Sequence, residues 1–392
     1  MSLHHNSHSM RHFLKNKEMN ELYASYGILN FALGLISVFI PIYLYKLDYS
    51  VPAILFFFFL NSVSFILFSY PGAKIVARLG VKHTMLLTIP IFILFFVGLR
   101  FIQDFPLLFF FLPILRSFKM ILYNYSFHLN FIQHSDRQQR GREVSMIQAV
   151  EVIAGILSPF LGGVIIKYAD FGTLFFVGSL ILFLAMLPLF LTKDTYEKIT
   201  FEKKGLIRDI FKKENLNFIY SFSGYAIESW IGLILWPIFL FVMLFSVESI
   251  GALASITTLL TFLTFYFIGK ATDKQDKRNL LRLGTFLYFF GWIGRVFVTG
   301  FTSVFFIDTY KNITQHFLAV PWTAYSYDIA AKRNYFKFIV QREIIFNLSR
   351  AFVLPVLMMI FFLGDIHISF IIAFIIAAFS SLFYVALNKE AV

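Results

Sequence analysis

Seven ionisable side chains sit inside long apolar runs of this sequence: Arg116, Lys119, Glu151, Glu228, Asp308, Lys311 and Arg350. A charge held in hydrocarbon costs a few kcal/mol even on insertion scales, so each of them calls for a partner, a proton or a cargo. A guanidinium such as Arg116 grips a carboxylate or phosphate in two places and does not deprotonate. A buried carboxyl such as Glu228 or Glu151 can instead load and release a proton, because burial disfavours its charged form. The chemistry on offer is recognition of a small charged molecule, with proton coupling through Glu228 or Glu151, or with none in the case of a uniporter.

The spacing groups these residues. Asp308, Lys311, Asn312 and Gln315 follow i, i+3, i+4, i+7 and fall on one helix face, as do Ser221, Gly224, Tyr225 and Glu228. Asn30, Gly34, Ser37 and Pro41 mark a thinner polar stripe. At 1.5 Å per residue Glu228, Arg116 and Lys311 lie roughly 17 to 20 Å inside their runs, near a bilayer midplane. A water-filled cavity carrying a net positive charge accounts for the three stripes, and an anionic cargo would neutralise it. Tyr123, Tyr225 and Trp236 would equally floor a sugar or a lipophilic drug.

Each charge also has a plainer reading as a structural ion pair. Asp308 can pair with Lys311 in its own helix, Glu151 with Gln148 can tie to Arg116, and Arg350 can act with Asn347. Arg295 lies near the end of a run, where it would snorkel to the interface. Glu228 is the strongest functional candidate.

Other chemistry finds little support. The chain has no cysteine, which removes disulfides, thiolate metal sites and a cysteine nucleophile. The histidines His4, His5, His8 and His12 belong to a polar tail, so no metal is expected, nor any cofactor. No phosphate-binding GxxxxGK[ST] loop is present, so ATP is not the expected energy source. The glycosylation-type triplets at Asn124, Asn312 and Asn347 lie in or beside apolar runs and are chance matches.

The elements that position these residues are set by composition. A mean hydropathy of +0.75 and 54 Phe in 392 residues describe an integral membrane protein. Twelve apolar runs have the length that about 30 Å of hydrocarbon requires. They cover residues 24–45, 51–71, 84–101, 105–128, 144–166, 171–192, 217–242, 250–269, 280–299, 302–325, 342–363 and 367–387. The net charge of +12 does not suggest nucleic acid, because the basic residues sort by loop. Of 34 Lys and Arg, 26 lie in the two tails and in the loops after even-numbered spans, and 3 in the loops after odd-numbered ones. By the positive-inside rule both termini are cytoplasmic. The polar amino-terminal stretch shows no signal-peptide cleavage site, which makes the first span an anchor.

The chain also repeats itself. PIYLYKLDYSV at Pro41 aligns without a gap on PIFLFVMLFSV at Pro237, an offset of half the chain, and Arg142-Glu143 is echoed by Arg342-Glu343. The expected fold is all-α: twelve transmembrane helices in two six-helix parallel repeats. A cytoplasmic tail occupies 1–23, one half 24–192, a linker 193–215 and the second half 216–392. The linker reads as a solvated amphipathic connection on the membrane surface.

A basic loop between the second and third spans recurs between the eighth and ninth, and this resembles the major facilitator superfamily. Gly269, Asp273, Lys274, Lys277 and Arg278 fit the family's loop motif, with Asp276 in place of an inner Gly. In the first half Arg78, Gly80 and Lys82 fit, while Ala73, Ala77 and Val81 depart from it. The resemblance implies a latch in which the loop carboxylate meets a basic residue. The first half lacks that carboxylate. In the fifth span Gly155, Pro159, Gly162 and Gly163 resemble the family's Gly-Pro-x-x-Gly-Gly packing signature, with Ser158 before the Pro. Arg116 falls where the family often keeps a membrane arginine. The resemblance implies that spans one, four, seven and ten line a central cavity, that two, five, eight and eleven flank it, and that the rest face lipid. It implies a secondary transporter, symporter or antiporter, working as a monomer on a small-molecule substrate with protons as a candidate co-ion. The rivals are a membrane-embedded transferase, which would need a larger loop to build its site, and a non-transporting receptor of the same fold.

Overall fold

In hydrocarbon every backbone N–H and C=O must be satisfied within its own segment, and helices are how runs this apolar achieve it. The computed structural model describes residues 17–135, 140–185, 187–190, 201, 204–244, 246–272 and 277–390, and these contain helices and no strand. The first span is broken into Lys17–Ile36 and Phe39–Lys46. The break lies just before Pro41, which has no N–H to offer the carbonyl of Ser37 four residues back. The next five spans are Val51–Leu79, Val81–Arg100, Leu108–His134, Arg140–Tyr168 and Phe171–Leu184. The second half follows as Leu216–Leu244, Val247–Thr272, Lys277–Val296, Phe301–Lys332, Tyr335–Leu363 and Ile366–Ser381, the last running on as a 3₁₀ segment, Leu382–Glu390. The half-chain offset survives in the helix starts, since Val51 and Val247, and likewise Val81 and Lys277, stand 196 residues apart. An even number of spans leaves both chain ends on one face, here called the terminal face.

Among the described residues, seven helices are long and apolar enough to cross a bilayer. The fourth and tenth have the length but fall outside that group, and they carry Arg116 with Lys119 and Asp308 with Lys311. Several helices outrun their apolar cores: the second ends at Leu79 instead of 71, the fourth at His134 instead of 128 and the tenth at Lys332 instead of 325. Hydropathy marks the hydrocarbon, whereas the helical hydrogen-bond ladder continues into the polar zone. The sixth helix is shorter than its apolar run and ends at Leu184.

The two halves meet along two seams, the fifth span on the eighth and the second on the eleventh. Small residues make the first seam possible. Gly163 lies against the backbone of Val247 and Glu248, and Gly251 against the carbonyl of Pro159. Gly162 performs the same service toward the first span, where the backbone of Leu35 leaves no room for a side chain. Beside the Pro159 break, the amide of Phe160 donates to Ser255 Oγ on the eighth span at 3.0 Å. At the face opposite the termini, Lys167 and Glu248 close the seam with an ion pair of 3.1 Å. The third, sixth, ninth and twelfth spans turn Leu94, Phe176, Phe286 and Phe379 outward toward lipid.

The loop motif of the first half builds its turn on Gly80, whose φ of 79° is the left-handed conformation that glycine adopts without strain. Arg78 ends the second helix, and Lys82 pairs with the buried Glu21 of the first span at 3.3 Å. The carboxylate missing at Ala77 is thus supplied from another element. In the second half Gly269 lies in the eighth helix and Lys277 and Arg278 open the ninth. Asp273 and Lys274 lie outside the described residues.

The linker departs from a purely solvated strap. Its described part, 204–215, docks on the terminal end of the eleventh span. Lys337 Nζ reaches Asp209 Oδ2 at 2.6 Å and the carbonyl of Lys204 at 3.0 Å, Gln341 donates to the carbonyl of Leu206, and Leu206 and Ile210 are buried. Lys337 first and Lys212 second hold the partly exposed Asp209 carboxyl below its usual range. Ile207 and Phe211 stay exposed, as a membrane-surface segment requires.

The fifth–eighth seam predicts a contrast. Gly251→Val drives a side chain into the Pro159 carbonyl and should lower thermal stability in detergent by about 1–3 kcal/mol. Gly155→Ala meets only a Thr258 methyl group at 3.5 Å and should be tolerated or slightly stabilising. Equal melting temperatures for the two variants would contradict this packing.

Candidate functional site: unpaired cations beside two cavities

The midplane acids are accounted for inside the second half. Glu228 is 2% exposed and accepts three hydrogen bonds from neutral donors. Tyr288 Oη donates to Oε1 at 2.5 Å, Trp292 Nε1 to the same oxygen at 3.0 Å, and Tyr384 Oη to Oε2 at 3.0 Å. This corrects the expectation of Glu228 as a cavity-lining group, because the ninth span and the end of the twelfth wall it in. Tyr384 itself borders the larger cavity described below and so links that cavity to Glu228.

Asp308 pairs with Arg295 rather than with Lys311. Arg295 Nη2 lies 2.6 Å and Nε 3.2 Å from Asp308 Oδ1, while Trp236 Nε1 donates to Oδ2 at 3.0 Å. Arg295, expected to snorkel, is 4% exposed and sandwiched by Trp236 and Trp292 at 3.8 and 4.5 Å from the ring centroids. A charge-assisted pair in a dry site outweighs the pull of the interface once its partner is within reach. The tenth-span stripe therefore divides. Asp308 and Lys311 turn inward, with Lys311 Nζ over Tyr288 and Trp292 and 3.5 Å from Gln315 Oε1. Asn312 and Gln315 line a cavity, where Asn312 also donates to Thr257 Oγ1 at 3.4 Å.

The basic residues of the fourth and eleventh spans find no acid. Arg116, Lys119 and Arg350 have no carboxylate at ion-pair distance among the described residues. Arg116 Nη1 donates to Asn61 Oδ1 at 2.7 Å, and Asn61 is itself held by its bond to the carbonyl of Pro113. The Arg116 guanidinium stands 5.2 Å from the centroids of both Phe58 and Trp230, and Arg350 approaches the same indole at 4.2 Å from the other half. Lys119 Nζ lies 3.6 Å over Phe92, and Arg350 Nε has no hydrogen-bond partner. Asn347 bonds back to its own helix at the carbonyl of Glu343 and does not support Arg350. Arg116 and Lys119 open on a pocket of about 230 Å³ with Tyr26, Asn30, Tyr123 and Asn124, closed from the second half by Leu233.

A second cavity of about 420 Å³ lies between the halves, with Gln148, Glu151 and Gly155 on one side and Tyr225, Asn312 and Gln315 among those on the other. Glu151 does not tie to Arg116. It accepts from Tyr26 Oη at 3.2 Å, and Tyr26 borders the first pocket, so this bond stands between the two spaces. Tyr225 stacks on Trp322 at 4.9 Å, and Ser221 accepts from Trp322 Nε1 at 2.8 Å.

Toward the terminal face the halves touch through groups to which the sequence assigned no functional role. His128 Nδ1 lies 2.5 Å from Tyr327 Oη, and Phe131 packs on the Tyr327 ring. Asn124 Nδ2 donates to Glu343 Oε2 at 3.0 Å, and Arg342 pairs with Glu343 at 2.8 Å. Tyr288, Trp292 and Tyr384 were equally invisible, because aromatics make up 20% of the chain and carry no distinguishing period. Asn61 did carry a signal, as one amide within the run FFFFLNS.

Two pseudo-equivalent bundles around a polar interface agree with comparison to known proteins. The sequence profile described as Major Facilitator Superfamily matches residues 22–310. The chain belongs to the major facilitator superfamily. Among solved structures, the crystal structure of a D-xylose-proton symporter superposes with a TM-score of 0.69 at 14% identity, covering 93% of this chain and 96% of that one. That likeness is one of fold. A search of curated proteins returned no match. This superfamily member is a multi-pass membrane protein and a secondary transporter. The two cavities are lined from the first, fourth, seventh and tenth spans, and also from the second, third, fifth and eighth and from Tyr384 beyond the twelfth.

The Arg295–Asp308 pair is readily tested. Arg295→Ala strands a buried carboxylate and should cost about 3–5 kcal/mol, whereas Arg295→Met with Asp308→Asn should recover most of the loss. Thermal unfolding of the purified variants decides, and a double variant no better than Arg295→Ala would contradict the pairing.

Proposed function

We propose that this transporter carries small organic anions across the cell membrane by alternating access, coupled to protons, as a monomer with both termini cytoplasmic. One observation carries the reading: Arg116 and Lys119 line a cavity, and among the described residues neither they nor Arg350, which shares the Trp230 indole with Arg116, has a carboxylate at ion-pair distance. A buried cation without an anion is costly, and a cargo that brings the anion offsets that cost while it is bound. Arg116 is the anchor, oriented by Asn61 and able to bind a carboxylate in two places.

The halves rock about the fifth–eighth and second–eleventh seams and expose the site to each face in turn. Contacts between halves occur toward both faces, through Lys167–Glu248 on one side and His128–Tyr327 on the other, so each must open in its part of the cycle. Glu228 is the proton-carrying group, reached from the cavity by way of Tyr384. A lipophilic or drug-like solute is the second reading, favoured by Phe58, Phe92, Phe95 and Phe96 in the smaller pocket.

Uptake into proteoliposomes tests this directly. Arg116→Ala should lower anion uptake about 10- to 100-fold, the worth of one charged hydrogen-bonding partner. Undiminished uptake, or a substrate range without anions, would defeat the anion reading. Glu228→Gln should abolish stimulation by a pH gradient acid on the entry side while leaving substrate exchange intact. An unchanged gradient dependence removes Glu228 from the coupling role.

Orientation has its own test, helped by the absence of native cysteine. Cysteines at Lys204 and Lys332 should react with impermeant reagents only from the cytoplasm, and one at Asp48 only from outside. The reverse pattern would invert the topology.

A further inference from the structure

We infer that the cargo is a zwitterion, its anionic group held by the Arg116–Lys119 pocket and an ammonium group by Glu151. The inference rests on the anion reading above and extends it from charge to substrate class. Glu151 differs from the other midplane acids in its surroundings. Glu228 is enclosed and saturated by three donors, and Asp308 has a guanidinium. Glu151 is exposed on the cavity wall, in the middle of a membrane-crossing helix, and its one hydrogen-bond donor is the phenol of Tyr26. Among the described residues no Lys, Arg or His lies at ion-pair distance from it.

The cavity wall contributed by the second half completes an ammonium site. Tyr225 and Trp322 border the same space, stacked on one another, and the Trp322 indole is fixed by its bond to Ser221. A carboxylate with aromatic faces opposite is the chemistry that recognises an alkylammonium, by ion pairing on one side and cation–π attraction on the other. A neutral polyol would use Asn312 and Gln315 but would leave the Glu151 charge uncompensated. The two charged sites are neighbours, because Tyr26 borders the cationic pocket while donating to Glu151. A molecule with a carboxylate at one end and an ammonium at the other would satisfy both at once. It would also bring Glu151 of the first half and the aromatic pair of the second together around itself, so that filling the site draws the halves closer.

Matched probes test the inference: glycine against glycolate, and γ-aminobutyrate against γ-hydroxybutyrate, differing only in amine or hydroxyl. Wild-type protein in proteoliposomes should take up at least one zwitterion about tenfold more efficiently than its partner. Glu151→Gln should lower zwitterion uptake more than hydroxy-acid uptake and so shrink that preference at least severalfold, and Glu151→Asp should retain part of it. Thermal stabilisation of the purified wild-type protein by the zwitterion, and less by its hydroxy match, gives a readout that needs no variant. Hydroxy acids entering as readily as zwitterions would overturn the inference and leave the anion reading standing, as would Glu151→Gln lowering both uptakes equally or neither. If none of the four probes enters or stabilises the protein, both readings fall.

Discussion

A charge in hydrocarbon must be answered by something, and the interior of this transporter is organised by what answers each one. Arg295 and Asp308 answer each other. Glu228 is answered by a phenol, an indole and a second phenol, none of which brings a charge of its own. Arg116, Lys119 and Arg350 are answered by aromatic faces and one amide. The first two arrangements are hydrogen-bonded and paired within the protein. The third has no carboxylate among the described residues, and on the proposed reading an anionic cargo completes it.

The fold supplies the surroundings that make such an arrangement tolerable. Two six-helix halves press together through glycine-lined contacts at the fifth–eighth seam, where backbone meets backbone with no side chain between. Close approach at the seam leaves the space between the halves to be shaped by the first, fourth, seventh and tenth spans together with polar residues of the fifth and eighth. Breaks are used where the packing needs them. The first span interrupts its ladder before Pro41, and beside Pro159 an amide finds Ser255 on the neighbouring half. Tyr26 and Asn30 precede the first-span break and border the cationic pocket, and Ser37 borders it at the break itself.

Much of this was legible in the sequence because it rests on simple periodicities. Hydrocarbon thickness fixed twelve runs, loop charge fixed their alternation, and the half-chain offset between Pro41 and Pro237 announced the parallel repeat that the helix starts display. The charged residues were legible as candidates, since any charge in an apolar run stands out. Their partners were not. Whether Asp308 meets Lys311 one turn away or Arg295 on the preceding helix depends on the rotation of two helices about their axes, which a one-dimensional pattern does not carry. The same ambiguity merged Asp308 and Lys311 with Asn312 and Gln315 into one stripe, although Lys311 and Asn312 stand about 100° apart around the helix and Asp308 and Gln315 about 10 Å apart along it, so one pair meets the ninth span and the other the cavity. Tyr288, Trp292 and Tyr384 were hidden for another reason: in a chain this aromatic, a phenol with a function looks like a phenol that fills space.

The aromatic abundance itself then acquires a role beyond membrane compatibility. On the proposed reading, a cation that receives an anionic cargo cannot be paired with a carboxylate, because that carboxylate would compete with the cargo for the same donors. Nor can it be left bare. An aromatic face attracts it by about 0.5–2 kcal/mol, enough to hold the side chain in place and little enough to be supplemented when a true anion enters. Phe58, Phe92 and Trp230 occupy that position for Arg116, Lys119 and Arg350. Trp230 takes Arg116 from one half and Arg350 from the other, so the indole that steadies the two cations also joins the surfaces that must move apart. On the proposed reading, an anion bound at Arg116 would change the charge that Arg350 faces across the ring, and binding at one half would thereby be felt by its counterpart.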